Sequence, residues 1–202
     1  MMMFRDDNRG FTLIEVIIGI GISAGILFMV GTIGSQFSNV ANFVNFKLQN
    51  RQNVEQVFQT IVTDVRSMGP SALGGYPIEA ASPTSVTFFS DTDKNGIPER
   101  VRYFVGTSTI NLGITKATGT PPTYTTSTEV VKNIVWNLVS TSTIFEYYNA
   151  SYTGTQASMT VPIDLSSVRV IKIGVSVDIN PGKTPLPTYF MNTVNPRNLR
   201  TN

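Results

Sequence analysis

Four side chains near the middle of the sequence have the spacing of a cation-binding loop. Asp91, Asp93, Asn95 and Gly96 form the pattern D-x-D-x-N-G, and Glu99 follows three residues after the glycine. In a calcium loop, oxygen atoms at alternate positions turn toward the ion and the glycine permits a sharp bend. The sequence therefore indicates calcium as a candidate cofactor, with the two aspartates, the asparagine and the glutamate as its ligands.

The same segment also has the composition of a hairpin turn. It lies between two predicted strands, 85–90 and 100–106, and Asp, Asn and Gly are favoured in such turns with or without a metal. A helical EF-hand is excluded, because its closing glutamate would fall at Arg102, which cannot ligate a cation. A calcium loop and a metal-free turn both remain open at this point.

The residues needed for catalysis are mostly missing. The chain has no cysteine and no histidine, which excludes thiol nucleophiles, Ser-His-Asp triads and the common zinc sites. Asp91, Asp93, Glu99 and Glu146 could serve as acid and base, but the first three share one turn and no second motif brings a partner across a cleft. The net charge is only +2 without a basic run, so we expect neither an enzyme nor a nucleic-acid binder.

The N-terminal part of the chain contains an apolar segment long enough to cross a membrane. Residues 11–34 exceed the ~20 residues that a membrane helix requires. Arg5 and Arg9 precede this segment and the next basic residue is Lys47, so the positive-inside rule places the N-terminus in the cytoplasm and the body outside. Glu15 lies within the segment, where a carboxylate normally requires a partner or a function.

Cleavage between Gly10 and Phe11 would supply that partner. The new α-amino group would lie close before Glu15 at the positive end of a helix, and the two charges could compensate each other within one chain or between neighbours. A secretory signal peptide would instead be cut after the apolar region.

The segment GFTLIEV, residues 10–16, resembles the N-terminal cleavage and methylation motif of type IV pilins and type II secretion pseudopilins. The resemblance implies that residues 1–10 are a leader, that a prepilin peptidase cuts between Gly10 and Phe11, and that Phe11 is then methylated. It also implies that Glu15 pairs with the terminal amine of the adjacent subunit and sets the register of assembly. The implied partners are the prepilin peptidase and methylase, other pilin or pseudopilin subunits, the inner membrane and the assembly platform.

The apolar pattern predicts one long helix over residues 11–68. Its first part, about 11–34, is expected to span the membrane, and its second part, about 35–68, is amphipathic because apolar residues recur at three- and four-residue steps. Gly69-Pro70 ends the pattern. The stripe from Val54 to Met68 is expected to pack under a sheet. Within the span, Gly21 and Gly25 form a GxxxG pair that favours close helix packing.

Residues 69–202 are predicted to form a β-rich head with a flexible C-terminal tail. Short Val-, Thr- and aromatic-rich runs alternate with turn residues, which favours one antiparallel sheet on the helix and an α+β fold. The resemblance implies that this fold is pilin-like. Residues 113–128 are expected to be an exposed loop. The predicted strands are 85–90, 100–106, 129–138, 144–148 and 167–179.

The order of these runs resembles that of the W-type minor pilins and the J-type minor pseudopilins. The resemblance implies a minor pilin-like structural subunit of a type IV pilus, which assembles through its helix and primes or caps the filament. The alternatives are a minor pseudopilin of a type II secretion system and a filament-borne surface-binding module. The implied location is the cytoplasmic membrane, as a single-pass protein, followed by an extracellular or periplasmic filament.

Overall fold

The computed structural model describes residues 12–139, 143–178 and 187–199, and within the long helix it describes the side chains of residues 12–32 and 51–67. Three short 3₁₀ turns accompany the helix and strands of this part of the chain. In chain order these are α1 (Leu13–Ser67), β1 (Ile78–Ser82), β2 (Ser85–Ser90), β3 (Glu99–Val105), β4 (Thr109–Thr115), β5 (Val130–Trp136), β6 (Phe145–Tyr148), β7 (Val170–Val177) and β8 (Thr188–Val194).

Helix α1 runs without interruption for 55 residues. No proline occurs within it, and the chain leaves the helix at Gly69-Pro70, where proline cannot continue the hydrogen-bond ladder. The end of the helix is fixed by contacts to the rest of the chain. The Gly69 amide donates to the Phe89 carbonyl at 2.8 Å, and Asn198 Nδ2 donates to the Met68 carbonyl at 2.8 Å.

The chain divides into two compact units, Met1–Leu48 and Gln49–Asn202, and the division falls within α1. In the first unit, Leu13–Thr32 is a 20-residue apolar segment with a mean hydropathy of 2.4. The side chains of this segment are exposed. Its length and composition suit a membrane crossing.

The described residues of the second unit form two antiparallel sheets. The larger has the order β1-β2-β3-β4-β5 and the smaller has the order β6-β7-β8. In the larger sheet, Tyr103 of β3 lies opposite Val86 of β2 and Leu112 of β4, so these three side chains share one face. A long N-terminal helix followed by antiparallel sheets confirms the predicted α+β, pilin-like fold class.

The core of the second unit lies between the C-terminal turns of α1 and the strands. As the stripe from Val54 to Met68 predicted, one side of these turns is buried, and Val54 and Val57 pack against the core from its margin. The most buried side chains of this region are Phe58, Ile61, Val62, Val65 and Met68. The strands contribute Phe88, Val101, Tyr103, Phe145, Ile171 and Ile173.

Three expectations for the head require correction. The described part of the head has two sheets rather than one, because β6 pairs with β7 and not with a strand of the larger sheet. The expected loop at 113–128 begins inside β4, where Gly113 is covered by the Glu129 side chain. The expected flexible tail contains β8, whose Phe190 and Val194 are buried in the core. The strand β1, rich in small residues, was also not predicted.

Candidate functional site

The start of α1 is organised around Glu15. Thr12 is the residue before the first helical position, and both its backbone amide and its hydroxyl donate to Glu15 Oε2, at 2.9 and 2.8 Å. The Glu15 amide lies 3.4 Å from the Thr12 hydroxyl. This reciprocal arrangement of Thr and Glu three residues apart is a capping box, which satisfies backbone donors that a helix N-terminus leaves free.

The capping box holds Glu15 at the helix end and leaves part of its carboxylate available. Among the described residues, Oε1 accepts no hydrogen bond, whereas Oε2 receives both bonds from Thr12. A cationic group at this end of the helix could therefore bind Oε1 without dismantling the cap. The predicted cleavage and methylation residues, Gly10 and Phe11, lie outside the described residues, so the predicted pairing of an amine with Glu15 stays a prediction.

Four glycines of the apolar segment have no close neighbour among the described residues of the chain. A Cβ atom built at Gly19, Gly21, Gly25 or Gly31 would meet nothing within 4 Å, and none of these residues has a positive φ. Glycine weakens a helix relative to alanine unless the backbone must approach something closely. Open glycine positions on an exposed apolar helix suit contact with another helix.

The second candidate site is the 91–99 loop, and the structure does bring its carboxylates together. One oxygen of each of Asp91, Asp93 and Glu99 lies within 4.8 Å of the others. Lys94 and Gly96 both have positive φ values, 58° and 88°, which produce the tight bend between β2 and β3. The spacing that suggested a calcium loop therefore corresponds to a real cluster of oxygen atoms.

Most of these oxygen atoms already accept hydrogen bonds from the protein. Asp91 accepts from the Asn95 and Gly96 amides at 3.0 and 2.9 Å, and Glu99 accepts from the amide and hydroxyl of Thr92, both at 2.9 Å. The Asn95 side-chain oxygen is turned to the Ile97 amide at 2.7 Å. These bonds are typical of a self-sufficient hairpin turn, because side-chain oxygens take up turn amides that would otherwise lack a partner.

A lysine from another strand end completes the loop. Lys116 Nζ forms an ion pair with Asp93 Oδ2 at 2.7 Å. The hydrogen bond from Lys116 lowers the pKa of Asp93 and in return raises the pKa of the lysine. The loop thus holds an ammonium group on one of the predicted calcium ligands. Sequence reasoning missed this contact, since Lys116 follows Asp93 by 23 residues and only the pairing of β3 with β4 brings them together.

The apolar segment and Glu15 overlap a known sequence motif. Residues 5–30 match the prokaryotic N-terminal methylation motif. No curated protein matches the chain. The motif is known for processing by prepilin peptidase and for assembly with other pilin subunits, and with the apolar helix it indicates membrane anchoring before filament assembly. The motif match, together with the long helix and the antiparallel head, supports a type IV prepilin-like protein.

Proposed function

We propose that this protein is a minor, structural subunit of a type IV pilus that enters the filament through its N-terminal helix and primes or caps it. The observation that carries the proposal is the methylation motif at residues 5–30, which coincides with an exposed apolar helix whose glutamate is already placed at the helix N-terminus. The protein acts by packing against other subunits, not by catalysis.

The helix supports this function because its apolar side chains are exposed. Its apolar side chains from Leu13 to Val30 are exposed, and burying them in lipid or against other helices is the main source of favourable free energy available to this segment. In lipid, the segment holds the subunit in the cytoplasmic membrane with the head outside. In a filament, neighbouring helices replace the lipid.

Glu15 gives the packing a register. Each carboxylate buried in an apolar filament core needs a cation, and cleavage between Gly10 and Phe11 creates one at the same end of every subunit. The proposed pair joins Glu15 Oε1 of one subunit to the amine of Phe11 in the next. A subunit inserted at another height would leave both charges unpaired.

A pseudopilin of a type II secretion system would use the same helix chemistry, and a surface-binding module would add recognition by the head.

The function common to these alternatives is tested by measuring the mass and the N-terminal residue of the protein from membranes and from sheared filaments. We expect N-methylated Phe11 in both fractions. A mature chain that starts at a methionine, or after the apolar segment, would refute the filament function.

The cell fraction in which the mature protein occurs distinguishes a pilus subunit from a secretion pseudopilin. Recovery in sheared surface filaments that are lost when the pilus assembly motor is deleted supports the pilus. Absence from surface filaments, together with loss of a secretin-dependent export function when this protein is deleted, supports the pseudopilus. We also propose that calcium stiffens the turn of the 91–99 loop, where the ion competes with the Lys116 ammonium group for Asp93.

A further inference from the structure

The 91–99 loop contains Asn95 followed by Gly96, the only Asn-Gly pair in the sequence. Both residues are exposed to water. An asparagine loses its side-chain amide when the backbone nitrogen of the next residue attacks the side-chain carbonyl carbon. Glycine has no Cβ, so its nitrogen is the least hindered nucleophile that can follow an asparagine. The reaction then depends on what activates this nitrogen and the carbonyl.

The nitrogen that would attack lies against a carboxylate. The Gly96 amide donates to Asp91 Oδ2 at 2.9 Å. The other oxygen of this carboxylate, Oδ1, accepts from the Asn95 amide at 3.0 Å, so two successive amides fix its orientation. A carboxylate in this position can accept the Gly96 proton while the nitrogen forms its new bond, which is general-base catalysis.

The side-chain carbonyl of Asn95 is polarised by a backbone donor. The Ile97 amide donates to Asn95 Oδ1 at 2.7 Å. Negative charge collects on this oxygen when the side-chain carbonyl carbon becomes tetrahedral. A donor that is already in place stabilises that charge, as the donors of an oxyanion hole do. The loop therefore activates both partners of the attack.

Asn149 has part of this arrangement and serves as an internal comparison. It is also exposed, and its side-chain oxygen also accepts from the amide two residues later, that of Ser151, at 3.1 Å. The residue after it is Ala150, whose Cβ hinders the nitrogen, and no described carboxylate accepts from the Ala150 amide. Asn149 thus has the polarised carbonyl but neither the glycine nor the base.

We propose that the 91–99 loop modifies itself, with Asp91 as the general base for deamidation of Asn95 through a cyclic imide. The Gly96 nitrogen forms a bond to Asn95 Cγ, and its proton passes to Asp91 Oδ2. The bond between Cγ and Nδ2 then breaks, and Nδ2 leaves as ammonia with that proton. Water opens the imide at either carbonyl and gives aspartate or isoaspartate at position 95. This chemistry is independent of the proposed filament function.

The aspartate product changes the charge of the loop. It adds a third carboxylate at alternate positions, after Asp91 and Asp93, and lowers the net charge of +2 by one. The new charge arises beside the existing ones, because the Asn95 amide contacts both aspartates, at 3.0 and 3.3 Å. The deamidated loop therefore attracts cations more strongly.

The competing interpretation is that the same hydrogen bonds protect Asn95, because they hold the turn in one conformation. The two interpretations predict opposite effects of folding. The full-length protein in detergent micelles and a synthetic peptide of residues 88–102 are incubated in the same mildly alkaline buffer and then digested with trypsin. Trypsin cuts after Lys94 and Arg100, so residue 95 lies in the peptide 95–100. Mass spectrometry follows the exchange of its amide for an acid.

We expect Asn95 to deamidate at least about tenfold faster in the folded protein than in the peptide, as for a positioned general base. Asp91→Asn keeps an acceptor for the Gly96 amide but removes the base, so most of this advantage should disappear. Asp93→Asn is the matched control, because it removes the same charge from the loop and Asp93 accepts from the Asn95 amide instead. This variant should retain the advantage.

The pH dependence separates loss of the base from a general loosening of the turn. Without Asp91 the proton must pass to hydroxide, so the deamidation rate of Asp91→Asn should rise about tenfold per pH unit, whereas that of the wild type should rise less steeply. Equal pH slopes would overturn the proposal. Deamidation in the folded protein that is no faster than in the peptide would also overturn it and would establish the hydrogen bonds as protective.

Discussion

The hydroxyl of Tyr103 donates a hydrogen bond of 2.6 Å to Asp64 Oδ2 and thereby joins β3 to α1. Tyr103 is fully buried and its ring stacks on Phe88, with centroids 6.1 Å apart. Burial and the adjacent Asp64 charge raise the pKa of Tyr103, so the hydroxyl remains a donor. Burial also raises the pKa of Asp64, and the hydrogen bond from Tyr103 offsets part of that rise. The pair is a polar contact between the helix and the core of the larger sheet, in addition to the contact between the Ser67 and Ser90 hydroxyls at 3.0 Å.

Tyr103→Phe should lower the free energy of unfolding by about 1–2 kcal/mol, because the ring packing is kept while a half-buried carboxylate loses its donor. The measurement is urea unfolding of the full-length protein in detergent, followed by circular dichroism. Tyr152→Phe is the matched control, since the Tyr152 hydroxyl makes only a long contact of 3.5 Å to an exposed carbonyl. An equal effect of both substitutions would show that the Asp64 bond contributes nothing.

Asp64→Asn should change the pH dependence of stability. The pKa of Asp64 is raised in the folded state, so between its ordinary value of 3.8 and the raised value the folded protein retains a proton that the unfolded chain has lost. The resulting contribution to the free energy of unfolding is fully present below the ordinary pKa and is lost as the pH rises through the folded-state pKa.

The stability of the wild type relative to Asp64→Asn should therefore fall as the pH rises through this range. Glu129 and Glu146 have lowered pKa values, which give the opposite trend, but they are common to both proteins and cancel in the difference. Unfolding curves at several pH values test this, and a pH-independent difference would contradict it.

Gly113→Ala should destabilise the head by about 1–2 kcal/mol, since a Cβ at this position would meet the Glu129 carboxylate and separate it from Arg102. Arg102 holds that carboxylate with two bonds, Nε to Oε1 at 2.8 Å and Nη2 to Oε2 at 2.6 Å. In the Glu129→Ala background the same glycine substitution should cost clearly less. Additive effects in the double-mutant cycle would show that Gly113 and Glu129 do not interact.

Much of this architecture could be predicted from local sequence patterns. Proline-free apolar periodicity ending at Gly69-Pro70 predicted α1, and the stripe from Val54 to Met68 correctly predicted its buried side, since helical spacing alone decides which residues share a face. The β-branched run of β7 was predicted from its alternation of apolar and polar residues, and alternate residues of this strand are indeed buried.

The features that were missed depend on contacts between distant parts of the chain. Gly113 has the composition of a loop residue, but it lies in β4 under the Glu129 side chain. The segment of β8 has the composition of a tail, but its Phe190 packs near Phe58. The separation of β6, β7 and β8 into a second sheet likewise reflects strand pairing and not composition. At the calcium loop, the sequence predicted the oxygen ligands but not the lysine that reaches one of them.

Lys116→Met should strengthen calcium binding at the 91–99 loop by roughly tenfold, because it removes a competing ammonium group from Asp93. Isothermal titration with calcium chloride measures this, with Lys94→Met as the control for the loss of one charge in the same loop. The absence of a calcium-dependent heat in both the wild type and Lys116→Met would refute the calcium proposal and establish the segment as a metal-free hairpin turn.

Thr12 and Glu15 have separable roles at the start of α1. Glu15→Gln retains a side-chain oxygen that can accept from Thr12, so the helix cap should survive, but it removes the charge proposed to pair with the amine of Phe11. Thr12→Val removes the capping hydroxyl and leaves the charge in place. We therefore expect Glu15→Gln to abolish recovery of the subunit in sheared filaments, while Thr12→Val reduces that recovery only modestly, with unfolding of the head unchanged in both variants. If the two substitutions reduced recovery equally, capping of the helix would account for the whole role of Glu15, and the register of the filament would have to be set by contacts other than a charge pair.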